Sequence, residues 1–267
     1  MNYSLSYTLG NNGRGADPSA ARYIAAVRAA GATVDSNKVG EINTFYKAAK
    51  TGGYYTSLKR LYLPIWGVAA ANAIDMIGLT SGTFNGGVTH GAGFVQGDGT
   101  TGYFNGGTAA SAGVATGSCS LFSLWLDDVI SYTGGYGGSP DFGGLQISDT
   151  GLQIRGHAPD DNSSFGTVTT GGGIICVSQT SATARALYQR LTAGVSTLNS
   201  NTLSATASLA AVDLYYAGGF NSNGVLQATN NRHGLYGIGT GLSGAVVTSF
   251  TLALKTLWES CTGLTLP

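Results

Sequence analysis

Charge is what this chain has least of. Lys and Arg number 13 and Asp and Glu 13 among 267 residues, a charged fraction of 10% with a net charge of zero. Ordinary soluble domains carry roughly 25%. Lys and Arg form no cluster anywhere along the chain. The sequence therefore has no electrostatic footprint for nucleic acid or for an anionic membrane surface. Disorder is not the explanation, because disordered chains combine high charge with few aromatics, and here aromatics make up 10%. No run of about 18 apolar residues exists, so no membrane-inserted helix is expected. The start, MNYSLSYTLGNNGRG, lacks a basic segment followed by an apolar one and is not expected to be a signal peptide. The cysteines number 3, at Cys119, Cys176 and Cys261. None has a second Cys or a His at ligand spacing, so they are expected in the core as small apolar residues, with no metal and no cofactor.

Glycine, at 43 residues, is abundant instead, while proline is held to 5. The glycines follow no triplet period, which excludes collagen. They punctuate short apolar runs, as turn and bulge residues do. Residues 1–15 read as an extended arm in which Tyr3, Leu5 and Tyr7 alternate. Residues 16–65 read as a small helical region. Asp17 caps a first helix with Pro18 at its first position; Ala20, Ile24, Val27 and Ala30 share a face, and Gly31 stops it. A second helix is expected from about Asp35 or Ser36, with Val39, Ile42, Tyr46 and Ala49 on its stripe and Gly52-Gly53 at its end. A short third helix is expected around Leu58, Leu61 and Tyr62.

From about Trp66 to the end (66–267) the apolar runs shorten to strand length. GFVQGDGTTGYF (93–104) reads as strand, tight Asp-Gly turn, strand. CSLFSLWL (119–126) is apolar on both faces and is expected as a central strand. GLQISDTGLQIRG (144–156) reads as a hairpin, as do GIICVSQ and RALYQRL together; a loose polar stretch then precedes AVDLYYAGG (211–219). Strands without intervening helices predict a mainly β fold, a sandwich rather than a parallel α/β sheet. A closing helix is expected after Ser243, with Val247, Phe250, Leu254, Leu257, Trp258 and Cys261 on one stripe and Gly263 at its end.

The order of VSQTSATARALYQRL (177–191), AVDLYYAGG, FNSNG (220–224) and NRHGLYGIGTGLS (231–243) resembles the second half of the laminin-G-like, concanavalin-A-like jelly rolls common in tailed-phage virion proteins. DPSAARYIAAVRAAG and GEINTFYKAAKTGGYYTSLKRLYL are similar to the helical lead-in of the same group. That resemblance implies a jelly-roll β-sandwich with a small N-terminal helical region and a C-terminal helix. It further implies a bacteriophage structural protein, located in the virion after assembly in the host cytoplasm. Its partners would be other virion subunits and copies of itself, with a trimer as the expected homo-oligomer. The group carries no catalytic set to transfer, and the chain is expected not to be an enzyme.

Chemistry-bearing residues are sparse. His90, His157 and His233 lack any nucleophile context such as G-x-S-x-G. Asp127-Asp128 and Asp160-Asp161 are adjacent pairs; neighbours on a strand point to opposite faces, and a solvated turn is expected for the first. The loop 158–164 offers oxygen ligands without the order of a known calcium loop. Two aromatic and amide-bearing segments are expected as exposed loops: 131–142, with Tyr132, Tyr136, Asp141 and Phe142, and 220–225, with Phe220, Asn221 and Asn223. Aromatic faces beside amides and carboxylates bind sugars. These seven residues are the candidate ligand site, with a cell-surface glycan as the candidate ligand. Three readings follow: a surface-attachment module with a lectin-like sandwich, a purely structural capsid-decoration or tail subunit, and, behind both, a glycan-active enzyme.

Overall fold

The computed structural model describes residues 15–108, 111–114, 118–127, 131–136, 142–147, 153–157, 163–167, 170–181, 183–202, 213–220 and 226–267. In chain order its elements are α1 (Pro18–Ala29), α2 (Ser36–Thr51), β1 (Leu58–Tyr62), α3 (Ala69–Asn72), β2 (Thr83–Asn85), β3 (Val88–Gly91), β4 (Phe94–Gly97), β5 (Tyr103–Thr108) and β6 (Cys119–Trp125). They continue with β7 (Ser131–Tyr136), β8 (Phe142–Ile147), β9 (Gln153–His157), β10 (Ser163–Thr167), β11 (Gly173–Ser181), β12 (Ala184–Leu191) and β13 (Gly194–Thr202). The last are β14 (Asp213–Tyr216), β15 (Gly218–Phe220), β16 (Leu226–Ala228), β17 (Arg232–Gly239) and α4 (Gly244–Thr262).

The strands form two main antiparallel sheets. One is eight-stranded, in the order β13-β12-β11-β6-β17-β4-β3, with β1 paired to β17; the other is seven-stranded, in the order β10-β9-β8-β7-β14-β5-β2. The chain is mainly β, with antiparallel sheets, a small N-terminal helical region and a C-terminal helix, as expected.

Alternation on β6 explains the layering. All of Cys119–Trp125 is buried. Cys119, Leu121 and Trp125 join the core between the sheets, with Phe104 from β5 and Tyr236 and Ile238 from β17. Phe122 and Leu124, on the opposite face, join a second core with α1, α2 and α4. Strand residues of that second core all come from the eight-stranded sheet. The helices thus cover this sheet, and it is buried on both sides as its both-face apolar strand requires.

The helices end where their caps dictate. The Asp17 carboxylate accepts Ser19 N–H at 2.8 Å and receives the Lys50 ammonium of α2 at 2.7 Å. Asp35 accepts Lys38 N–H at 2.8 Å. Gly263 closes α4 in the left-handed conformation at φ 71°. Arg190 of β12 ties α4 to the sheet through Thr251 Oγ1 and Thr248 O, each at 2.7 Å. The Trp258 indole donates to Gly93 O at 2.8 Å.

Three expectations are corrected. Residues 58–62 are not a helix but strand β1, antiparallel to β17. Its register is held by the buried Asp75 carboxylate, which accepts the N–H groups of Leu61, Ile77 and Gly78 at 2.9, 2.9 and 2.7 Å. The strands of 93–104 are not a hairpin: β4 pairs with β3 and β17, whereas β5 pairs with β2 and β14 in the other sheet. The Asp98 carboxylate gathers Thr100, Thr101 and Gly102 N–H at 2.7–2.8 Å and so shapes a loop that crosses between sheets. The polar stretch after β12 is itself a strand, β13, laid along β12.

Candidate functional site

Among the described residues, the helices pack on the eight-stranded sheet and none packs on the outer face of the seven-stranded one. Phe104 of β5 is fully buried in the core between the sheets. Its neighbours Tyr103 and Asn105 therefore belong to the outer face. Residues directly opposite one another in antiparallel strands share a face, so the register carries this assignment across the sheet. Asn105 lies opposite Tyr215, Tyr215 opposite Gly134, Gly134 opposite Gly144, and Gly144 opposite His157. One step along, Tyr132 lies opposite Gln146 and Gln146 opposite Arg155. On the other side of the glycines, Tyr136 lies opposite Phe142. Toward the β2 edge, Asn85 pairs with Tyr103 and the exposed Thr83 with Asn105.

The open face thus has a row without side chains, Gly134 and Gly144, between two rows that have them. Tyr132, Gln146 and Arg155 form one flanking row, and Tyr136 and Phe142 the other. Adjacent strands stand about 4.8 Å apart and same-face residues of one strand about 7 Å apart. In the register, Gly134 and Gly144 thus lie side by side between the positions of Tyr132 with Gln146 and of Tyr136 with Phe142.

This arrangement revises the expected site. Tyr132, Tyr136 and Phe142 were expected on an exposed loop; they stand instead on the paired strands β7 and β8, and the register brings all three to one face. Phe220 ends β15, which pairs with β16 beside β7. Asp141, Asn221 and Asn223 lie outside the described residues. Sequence reasoning missed Tyr103, Asn105, Gln146 and Arg155. Alternation within GLQIRG sets positions 154 and 155 on opposite faces, but only long-range register places Arg155 in the row of Tyr132, two strands away with Gln146 between them.

The remaining titratable groups are structural. His233 is fully buried on β17, and burial depresses its pKa to about 3, holding the ring neutral. His90 lies on β3, where Asn72 Nδ2 stands 3.1 Å from its Nδ1 and Phe84 packs edge-on at 4.4 Å. Burial lowers its pKa too. Asp127, expected in a solvated turn, instead clips two strands together: Arg232 of β17 reaches it at 2.5 Å through its guanidinium and at 2.9 Å through its backbone N–H. Burial opposes ionisation of Asp127, but the Arg232 hydrogen bonds outweigh it and lower the pKa. The three cysteines are buried, as expected, and burial raises each thiol to about 12. Asp128, Asp160 and Asp161, with residues 158–162, lie outside the described residues. Among the described residues no group of three or more His, Cys, Asp and Glu could hold a metal ion. A shallow groove of about 540 Å³ lies on the opposite sheet, between Tyr188, Ser178, Ala186 and the start of α4 at Ser243.

No protein-family profile and no curated protein matches the chain. Solved structures do. A mutant of HCR/D matches with a TM-score of 0.50 at 8% identity, over 75% of this chain and 53% of that one. A mutant of Trypanosoma rangeli sialidase displaying trans-sialidase activity matches at 0.47 and 12% identity, over 82% and 39% of the two chains. A GH54 α-L-arabinofuranosidase mutant matches at 0.45 and 14%, over 74% and 48%. The chain spans about half or less of the length of these structures. At such identities the likeness concerns the β-sandwich fold. It also corrects one expectation. The chain was expected not to be an enzyme, yet a sialidase and an arabinofuranosidase are among the structures it resembles, so that exclusion does not stand.

Proposed function

We propose that this protein is a glycan-recognition β-sandwich whose ligand lies in the trough of the open sheet. One observation carries the reading: the register sets Gly134 and Gly144 side by side between Tyr132 with Gln146 and Tyr136 with Phe142. Sugar rings stack their C–H faces on aromatic rings and exchange hydrogen bonds with amides. A floor without side chains lets a ring approach the sheet. The lectin-like and glycosidase-type sandwiches among similar structures accord with this reading, and recognition of a glycan is the step that both classes share.

On the sequence resemblance alone, the reading extends to location and partners: a tailed-phage virion, with copies of this chain and other virion subunits around it and a host-surface glycan as ligand. Repetition across a particle would strengthen a weak single site. A glycan array probed with the full chain in multivalent form tests the proposal. Tyr136→Ala and Gly144→Leu, which remove one wall and fill the floor, are each expected to weaken binding at least about tenfold, equivalent to about 1.4 kcal/mol. Thr248→Ala, on the exposed side of α4, is expected to leave binding unchanged. Release of free sugar from bound glycans, followed in the same samples, measures turnover. If no glycan binds, the purely structural capsid or tail subunit replaces this reading.

A further inference from the structure

Strand β11 carries a glutamine into the space between the two sheets. Ile174 and Cys176 belong to the core under the helices, whereas Ile175 and Val177 belong to the core between the sheets. The alternation continues beyond them. Ser178 is on the helix side, where its Oγ accepts the Leu242 N–H and donates to Leu242 O, both at 2.7 Å. Gln179 therefore belongs to the face toward the partner sheet, and it is fully buried. Its register partners are Cys119 of β6 and Arg185 of β12, both buried as well. Two residues along, the same three strands carry Leu121, Val177 and Leu187, all in the core between the sheets. A row of polar residues thus borders an apolar one.

A second glutamine of this hairpin shows what a buried amide needs. Gln189 of β12 shares the face of Leu187 and is also buried. Its Nε2 donates to Thr170 O at 2.9 Å and to Gly172 O at 2.7 Å. Gln179 has no such arrangement: neither its Oε1 nor its Nε2 has a hydrogen-bond partner. Nearly all buried polar groups in folded proteins are paired, because an amide stripped of water and left unpaired is costly. The side chain carries an acceptor and two donors, so its guest must both donate and accept. An anion would satisfy Nε2 and leave Oε1 orphaned. A cation would meet the Arg185 guanidinium of the neighbouring strand. Water fits both ends of the amide, and buried water typically makes about three hydrogen bonds to such groups.

We infer that the sandwich holds an internal water site beside Gln179, at the end of the space between its sheets where Cys119, Gln179 and Arg185 form one row. The site is independent of the glycan reading, which concerns the opposite face of the other sheet. It makes the interior wet at this end and dry in the adjoining row of Leu121, Val177 and Leu187.

Two measurements on the full chain test it. A high-resolution crystal structure is expected to show ordered water within about 3.2 Å of both Oε1 and Nε2 of Gln179. Oxygen-17 relaxation dispersion in solution counts long-lived internal waters, and Gln179→Met, which keeps the length and removes the amide, is expected to lower that count. The same variant is expected to melt several degrees below the parent, because the water loses its anchor. Thr183→Ala, at an exposed position of the same hairpin, is expected to change neither count nor melting temperature. An orphaned amide in a dry interior would give the opposite sign, since its removal relieves a cost. The inference is therefore overturned if no water lies at the amide, if the count is unchanged, or if Gln179→Met melts at or above the parent. Should that variant fail to fold, the crystal structure of the parent chain decides alone.

Discussion

The two sheets of this sandwich carry opposite burdens. The eight-stranded sheet is buried twice, against its partner sheet on one face and against α1, α2 and α4 on the other. Among the described residues, the seven-stranded sheet meets its partner on one face and no helix packs on the other. In the covered sheet, β6 and β11 run CSLFSLW and GIICVSQ, apolar on both faces. In the open sheet, β8 and β9 run FGGLQI and QIRGH, apolar at alternate positions. What differs is where substitution should be felt: as lost stability in the first sheet, and as lost recognition in the second.

The sharpest test of the covered side is Trp258. It is fully buried where α4 meets the sheet, and its indole N–H is satisfied by Gly93 O. Trp258→Ala should cost about 3–5 kcal/mol, through the cavity and the orphaned carbonyl. Urea melts measure this directly, and a loss under about 1 kcal/mol would show that the helical layer is an accessory rather than half of the core.

Next in size is a pH effect centred on His233. Its folded pKa is depressed to about 3 by burial, against about 6.5 for the unfolded chain. Between those values the unfolded state holds a proton that the folded state does not. Stability is therefore intact above about pH 6.5 and falls as the pH is lowered. By pH 4 the loss should be on the order of 3 kcal/mol. Asp127, whose pKa is lowered, adds a loss confined to pH values below about 4, where its carboxylate begins to be protonated. Asp75 works in the opposite sense: burial raises its pKa, so its contribution is lost as the pH rises through the raised value. His90, whose pKa burial also lowers, and Asp75 act within the same range, so His233 is assigned by difference: His233→Gln should make the slope between pH 6.5 and 4 clearly shallower. Equal slopes for the two proteins would refute the assignment.

Strand β1 shows why the sequence was only partly legible. Leu58, Leu61 and Tyr62 are spaced as a helix face would be, so local pattern favours a helix. The strand forms because β17, far away in sequence, offers an unpaired edge, and because Asp75 collects the Leu61 amide. Caps and a sustained 3.6-residue period made α1, α2 and α4 readable, since both are local signals. The hairpin β11–β12 and the doubly apolar β6 were readable for the same reason. Asp98-Gly99 looked like a hairpin turn, yet five residues, 98 to 102, and the amides gathered by one carboxylate make it a crossing between sheets. The site suffered most. Tyr132, Tyr136 and Phe142 were recognisable as ligand-type residues, but their common face depends on a register running through four strands, β5, β14, β7 and β8.

Close approach of β1 to β17 gives the next prediction. A Cβ on Gly237 would stand 2.3 Å from Arg60 O and 2.6 Å from the Phe122 ring. Gly237→Ala should therefore cost about 1–3 kcal/mol, since overpacking forces backbone or ring to shift. Were residues 58–62 helical and away from β17, only the Phe122 ring would oppose the added Cβ, and the loss in a thermal melt would be smaller.

The smallest expected effect tests the assignment of faces on which the site depends. Thr83 and Phe84 are neighbours on β2. Phe84 lies opposite Phe104, with ring centroids 4.5 Å apart, and also packs on His90. Thr83 lies opposite Asn105 and is exposed. Phe84→Ala should cost about 2 kcal/mol, less than a fully buried Phe because the ring is only half-buried. Thr83→Ala should change stability by less than about 0.5 kcal/mol, as substitutions on an uncovered face do. Each result alone is unremarkable; their difference across one residue is the measurement. Phe104 fixes the inward face of β5, and every step of the register from Asn105 through Tyr215 and Gly134 to Gly144 inherits its parity from that residue. If the two losses proved equal, or Thr83 the larger, the faces would be exchanged. Gly134 and Gly144 would then belong to the face toward the partner sheet, and the proposed site would be lost.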